Sequence, residues 1–165
     1  MLIATIATAV IALFALILSI YNWYYDFVHN KANINLIFKT CEHIDNVYGK
    51  PLSFYLIIEN CSHLDVSISR MFLNIGDDSY EFDSLPNYVM EYSSPNDINH
   101  IFSKELPLKI TGLGAVGGYF NVNTIEHHSF EGSLIFNNNV SITLHTNRKL
   151  KKTFKIDITH DNTHL

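Results

Sequence analysis

Hydrophobic and polar positions divide the chain into two regimes. Met1 to Ile20 reads MLIATIATAVIALFALILSI, without a charge, glycine or proline, and at about 1.5 Å per residue it spans roughly the 30 Å of a bilayer core. This run predicts a transmembrane helix. Tyr21, Trp23, Tyr24 and Tyr25 follow at once, and rings with one polar edge settle at the headgroup level. Residues 1–25 therefore read as a membrane-crossing helix with an aromatic interface belt. The competing readings are a cleaved signal peptide and a soluble core helix. A signal peptide carries Lys or Arg ahead of about 7 to 15 apolar residues and a small-residue cleavage site behind them, marks absent from this segment.

After a juxtamembrane connection over residues 26–32, the period changes to two. Ile34, Leu36 and Phe38, then Leu52, Phe54, Leu56 and Ile58, alternate with mostly polar neighbours, as half-buried strands do. Val66 and Ile68 keep phase, whereas Met71, Leu73 and Ile75 have slipped by one, which predicts a β-bulge at Ser69-Arg70. Gly76-Asp77-Asp78 has turn chemistry and leads to Tyr80 and Phe82, a hairpin. Residues 84–104 are the least regular, with Pro86 and Pro95, and Ser94-Pro95 predicts a short helical turn through Ile98 and Phe102. Strand signals resume at Leu106, Leu108 and Ile110, then Tyr119–Val122, Leu134–Phe136, Val140–Leu144 and Phe154–Ile158, with turns at Asn137-Asn138-Asn139 and at residues 146–149. About eight or nine short strands without a long helical period predict an all-β domain over residues 33–158. The expected fold is an antiparallel immunoglobulin-like β-sandwich preceded by one N-terminal transmembrane helix, with a flexible tail over 159–165.

Composition narrows the function without naming it. The 165 residues are 47% apolar and 16% charged, with a net charge of −5, which excludes a disordered chain and a strongly basic nucleic-acid binder. Charge is uneven: residues 26–147 hold fourteen acidic and six basic side chains, whereas Arg148, Lys149, Lys151, Lys152 and Lys155 crowd the last hairpin. Facing an acidic leaflet, these five are candidates for contact with anionic lipid headgroups, at about 1 kcal/mol for each well-placed cation. The alternative is charge that protects an edge strand from pairing with another molecule. Lys31 and Lys39 follow the apolar run and no Lys or Arg precedes it, so the positive-inside rule puts the C-terminal domain in the cytoplasm, with an extracellular domain as the alternative.

No motif nominates a catalytic residue, a cofactor or a metal. Gly112-Leu113-Gly114-Ala115-Val116-Gly117 has the glycine spacing of a dinucleotide fingerprint, but Gly118-Tyr119-Phe120 opens a strand where the fingerprint needs a helix, so a glycine-rich inter-strand loop is expected. Cys41-Glu42-His43 and Cys61-Ser62-His63 hold four zinc-type ligands. An antiparallel pairing of 33–41 with 52–60 sends Cys41 and Cys61 to opposite ends, against both a shared zinc and a disulfide. Glu126-His127-His128 points to two strand faces at once and reads as solvated. No G-x-S-x-G elbow is present for a hydrolase. Asn60-Cys61-Ser62 and Asn139-Val140-Ser141 fit the N-glycosylation pattern, relevant only on a secretory route.

Several short stretches resemble small single-pass, membrane-anchored β-sandwich proteins of Firmicutes and their prophages: Leu-Ser-Ile-Tyr-Asn at 18–22, Ile57-Ile58-Glu59-Asn60, Val66-Ser67-Ile68-Ser69-Arg70, Leu106-Pro107-Leu108, Gly117-Gly118-Tyr119-Phe120 and Thr146-Asn147-Arg148-Lys149. Where related sequences often have Gly after the Arg of the last hairpin, this chain has Lys149. The resemblance implies a β-sandwich at a bacterial membrane, and superinfection-exclusion proteins of lactococcal prophages are similar in organisation. The expectation is a non-catalytic, membrane-tethered interaction module with a protein partner and no nucleic acid, its contact surface sought in 84–104 and 112–118. An extracellular adhesin or receptor-like domain is the second reading, and a hydrolase or metal-dependent enzyme the third.

Overall fold

The computed structural model describes residues 2–29, 31–43, 52–94, 97–122, 139–158 and 163–164. The expected strand at Leu134–Phe136, the Glu126-His127-His128 run and Asn137-Asn138 lie outside the described residues. The chain divides into two units, Met1–Lys31 and Ala32–Leu165.

The first unit is one helix, α1 (Leu2–His29). Within it Thr5–Asp26 is a 22-residue stretch that includes an 18-residue window of mean hydropathy 2.0, long and apolar enough to cross a membrane, a property that signal sequences share. The helix continues through residues 26–29, which the sequence assigns to the connection, because neither proline nor glycine interrupts it there. Tyr21, Trp23, Tyr24 and Tyr25 all lie on α1 and all are exposed. At about 100° per residue they spread around the axis rather than along one stripe, with Tyr21 and Tyr25 stacked one turn apart at 6.3 Å between ring centroids.

The second unit is built of mostly antiparallel sheets. Its strands are β1 (Ile34–His43), β2 (Leu52–Asn60), β3 (Val66–Ile75), β4 (Asp78–Glu81), β5 (Tyr88–Ser94), β6 (Asp97–Phe102), β7 (Leu108–Ile110), β8 (Ala115–Val122), β9 (Val140–Thr146), β10 (Lys151–Lys155) and β11 (Thr163–His164). One sheet has the order β11-β1-β2-β8, the second β10-β9-β3-β4 with β7 also on β3, and β5-β6 forms a separate two-stranded ribbon. Thr163 and His164, in the segment expected to be a flexible tail, instead pair parallel with Cys41 and Glu42.

Alternation explains the core. Leu52, Phe54, Leu56 and Ile58 are buried while Tyr55, Ile57 and Glu59 are half-exposed, the inward–outward period of a strand with one face on a core. The phase slip in β3 is real: pairing to β9 shifts between Ile68 and Arg70, so Ser69 and Arg70 both point outward, and Met71, Leu73 and Ile75 return to the interior. A second shift lies between Phe38 and Thr40 in β1 and brings Cys41 inward. Buried side chains of both sheets belong to one apolar cluster. At its middle the Phe54 ring meets Phe82 edge-on at 5.6 Å and Phe38 at 6.3 Å.

Turns close where their chemistry permits. Gly76, at φ 60°, links β3 to β4. Lys149, at φ 57°, takes the left-handed conformation in the β9–β10 hairpin, a position glycine occupies at less cost.

Candidate interaction surface

In place of the expected helical turn, residues 88–94 and 97–102 are strands. β5 and β6 pair from Tyr88↔Phe102 to Ser94↔Asp97, with a bulge between Tyr88 and Met90. The helical turn fails because Tyr88, Val89, Tyr92, Ile98, Ile101 and Phe102 favour an extended backbone, and paired strands satisfy the amide groups that a single helical turn leaves open. An isolated two-stranded hairpin is marginal in water; this one is tied down at its root. Ser103 N–H donates to the Asn87 carbonyl at 2.8 Å while Ser103 Oγ accepts from Asn87 N–H at 2.8 Å. Lys104 N–H donates to the Tyr119 carbonyl at 2.7 Å and Asp83 N–H to the Asn121 carbonyl at 2.8 Å, both on β8. Val89, 2% exposed, is buried at the bulge.

Beyond that root the ribbon presents apolar groups on both sides. Opposed residues of an antiparallel pair share a face, so Tyr92 lies on one side and Ile98 and Phe102 on the other. Their exposures are 65%, 58% and 55%, and Leu85 on the approach is 73% exposed. On the Phe102 side, Tyr88 stands edge-on to Phe102 and to His100, and His100 faces Glu91 at 3.9 Å. Among the described residues of the second unit the only other large apolar side chain so exposed is Leu113, at 65%. Leu113 sits at φ 54° in the turn between Thr111 and Gly114 and donates its N–H to the Ser62 carbonyl at 2.8 Å. That turn is seated against the 61–65 loop: a Cβ on Gly112 would lie 2.1 Å from the His63 carbonyl oxygen. The glycine pattern thus serves a close backbone approach, and β8 begins at Ala115, inside the fingerprint-like spacing.

The hairpin root holds a titratable group. Burial raises the Asp83 carboxyl above the ordinary Asp range, against the lowering effect of a 2.8 Å hydrogen bond from Asn87 Nδ2. An acid whose pKa is raised on folding gives stability that is present below its unfolded value near 3.9 and is lost as pH rises through the folded value. Asp83→Asn removes the buried charge and keeps an oxygen to accept from Asn87. It is expected to raise Tm relative to the parent chain at pH 7, with the difference closing as pH falls toward about 3.5; thermal scans across that range check it, and a lower Tm at pH 7 would refute it.

The five clustered cations do not act alike. β10 alternates, so Lys151, Thr153 and Lys155 are exposed while Lys152 and Phe154 face the other way and are half-buried. Lys152 Nζ donates to the Ile34 carbonyl at 2.6 Å and lies 5.1 Å from the centre of the Phe154 ring. It is thereby committed inside the unit. Arg148 donates to the Asp65 carbonyl at 3.2 Å, and Lys149 is exposed at the turn.

Both cysteines are thiols. Cys41 is buried in β1, where burial pushes its pKa well above the ordinary thiol value, and Cys61 is exposed just past the far end of β2, its N–H bonded to the Asn33 carbonyl at 2.8 Å. Register sets them apart, since Cys41 opposes Phe54 while Asn60 opposes Ile34. Among the described residues no group of three or more His, Cys, Asp or Glu could hold a metal ion. Asn60, the first glycosylation match, is 1% exposed with its Nδ2 shared among the carbonyls of Leu64, Thr111 and Ile110 at 2.8, 3.0 and 3.3 Å. A glycan has no access to it in the folded unit. Asn139 is exposed.

No protein-family model, curated protein or solved structure matches the chain.

Proposed function

We propose that the chain is a non-catalytic interaction module held at a bacterial cell membrane by α1 as a retained single-pass anchor, its β unit in the cytoplasm. The β5–β6 ribbon would contact a protein in the same membrane or an incoming phage component, the organisation of a superinfection-exclusion protein. The observation that carries this reading is the placement of Leu85, Tyr92, Ile98 and Phe102 on one ribbon and its approach, all exposed, on an otherwise alternating scaffold. Recognition tends to sit on segments that a rigid frame holds out, and aromatic side chains dominate such contacts. An anchor supports the role physically: confinement to one membrane raises the effective concentration toward any partner there without a new contact. For the fold we propose an immunoglobulin-like sandwich. The support is the strand order, with β1-β2-β8 in the places of A, B and E, and β10-β9-β3-β4 in those of G, F, C and C′.

The test uses the full chain in a bacterial membrane, with an epitope tag after Leu165 and a photo-crosslinking residue at Tyr92. External protease should leave the tag intact in whole cells and remove it after lysis. Crosslinks should form to one defined membrane or phage protein, disappear in Ile98→Ser/Phe102→Ser at equal chain abundance, and be absent with the probe at Asp77 in the β3–β4 turn. Loss of the tag from intact cells would favour an extracellular adhesin or receptor-like role. Equal crosslinking from Asp77 would overturn the ribbon as the contact.

A further inference from the structure

The bulge at Ser69-Arg70 turns Arg70, Phe72 and Asn74 to the outer face of the second sheet. There they meet outward residues of three neighbouring strands in register: Lys151 opposite His145, His145 opposite Arg70, Asn74 opposite Ser79. The result is a depression of about 150 Å³ lined by Phe72, Asn74, Ser79, Thr143, His145 and Lys151. Its floor is Thr143, only 5% exposed although it belongs to the outward set. Thr143 lies between Phe72 on β3 and Thr153 on β10, which cover it from both sides.

The hydrogen-bonding inventory of this depression is lopsided. Asn74 Nδ2 is spent on Thr143 Oγ1 at 2.9 Å, Thr143 Oγ1 is shared with Thr153 Oγ1 at 2.9 Å, and Ser79 Oγ donates to Asn74 Oδ1 at 2.9 Å. At that end the remaining capacity is to accept, through the lone pairs of Ser79 Oγ and Asn74 Oδ1. At the other end Lys151 Nζ offers donors and positive charge, and His145 carries an N–H in either tautomer. Between the two ends lies the Phe72 ring, 5.1 Å from the His145 ring and covered on another side by Arg70 at 4.9 Å. Arg70 lies outside the lining and is itself held by Glu81 through two 2.6 Å bonds, so it adds no free charge to the depression.

A ligand that fits both ends has an oxyanion at one and hydroxyl donors at the other, on a short skeleton with C–H surface for the Phe72 ring. We propose that the depression binds a phosphate- or carboxylate-bearing polyol, with Lys151 and His145 on the oxyanion and Asn74 and Ser79 on its hydroxyls. The volume limits the ligand to a small one, below the roughly 300–1,000 Å³ of drug-sized sites. The same chemistry occurs in a soluble phosphopolyol and in a glycerophospholipid headgroup. This assignment stands apart from the ribbon contact and uses none of its residues.

Saturation-transfer NMR on the full chain in non-ionic detergent micelles, with sn-glycerol 3-phosphate as the probe, tests it. Binding is expected at millimolar ligand, tighter than for inorganic phosphate and far tighter than for glycerol. Lys151→Ala should weaken it about tenfold and Ser79→Ala about threefold, the losses of one charged and one neutral hydrogen bond, with Tm unchanged as evidence of folding. No saturation of glycerol 3-phosphate, equal affinity for inorganic phosphate, or an undiminished affinity in folded Lys151→Ala overturns the site. In nanodiscs, weaker binding of glycerol 3-phosphate with phosphatidylglycerol than with phosphatidylcholine supports the site with a lipid headgroup as its ligand. Equal binding in the two supports it with a soluble one.

Discussion

Asn60→Ala is expected to destabilise the β unit by about 3 kcal/mol, although it removes only three heavy atoms from the end of a strand. The side chain is 1% exposed and satisfies groups from three segments. Its Nδ2 serves the carbonyls of Leu64, Ile110 and Thr111, and its Oδ1 accepts from Ser62 N–H at 3.1 Å and Ser62 Oγ at 2.5 Å. A typical hydrogen bond contributes about 1 kcal/mol net, and a buried group left unpaired costs about 1–3 kcal/mol. Several such groups lose their partner together here, so the expected figure lies above that of an ordinary polar truncation. Asn60→Asp is the informative companion: it keeps the acceptor toward Ser62 and replaces the shared donor with a charge facing carbonyl oxygens, so it should be at least as damaging. Ser62→Ala should cost about 1 kcal/mol. Urea unfolding of the full chain in micelles, followed by the β-sheet signal, measures all three. A loss below about 1 kcal/mol for Asn60→Ala would mean that the 61–65 loop and the 111–114 turn hold their positions without it.

Much of the fold is legible in the residues wherever one side of an element faces a core. Leu52, Phe54, Leu56 and Ile58 in β2 and Val140, Ile142 and Leu144 in β9 recur at period two and are all buried, although Ser53 and Thr143 on the opposite faces are buried as well. The bulge at Ser69-Arg70 is readable because Ile68 and Met71 are both inward yet three apart, and period two does not allow that without an extra residue. Phe38 and Cys41 carry the same odd spacing and mark the β1 shift. Within the cation cluster, the offset of Lys152 and Phe154 from Lys151 and Lys155 separates the committed lysine from the exposed ones once β10 is taken as a strand.

The ribbon is a different case. Tyr88, Met90 and Tyr92 stand at period two, but Val89 and Ile101 break the polar set between apolar positions, Ile98 and Phe102 at a spacing of four fit a helical turn as well as a strand, and Ser94-Pro95 is as consistent with a helix start as with a strand connection. Asn60 is opaque for another reason: a buried amide joining three segments depends on residues up to 51 positions away, and nothing local distinguishes it from an exposed asparagine. The outer-face depression has the same character. Phe72, Ser79, His145 and Lys151 converge only through the pairing of four strands, although the bulge that turns Phe72 outward is written in the sequence.

Phe54→Ala is expected to cost about 4 kcal/mol, the largest single loss among the substitutions considered, whereas Phe102→Ala should change stability by less than about 0.5 kcal/mol. The chemistry removed is identical and the surroundings are opposite. Phe54 is fully buried, against Phe82 and Phe38, in the cluster to which both sheets contribute, so truncation loses transfer energy and leaves a void that packed strands close only in part. Phe102 is 55% exposed on a ribbon outside that cluster, and its truncation uncovers little that was dry. Phe54→Leu, which refills much of the void, should recover more than half of the loss. Because the two sheets share their buried residues, the destabilised Phe54→Ala chain should still unfold in one transition, with the same midpoint by sheet signal and by aromatic fluorescence. Two separated transitions would show that the sheets hold independently of their common core. A stability loss of several kcal/mol in Phe102→Ala would move the ribbon from a presented surface to part of the structural frame, and with it the ground for assigning the contact there.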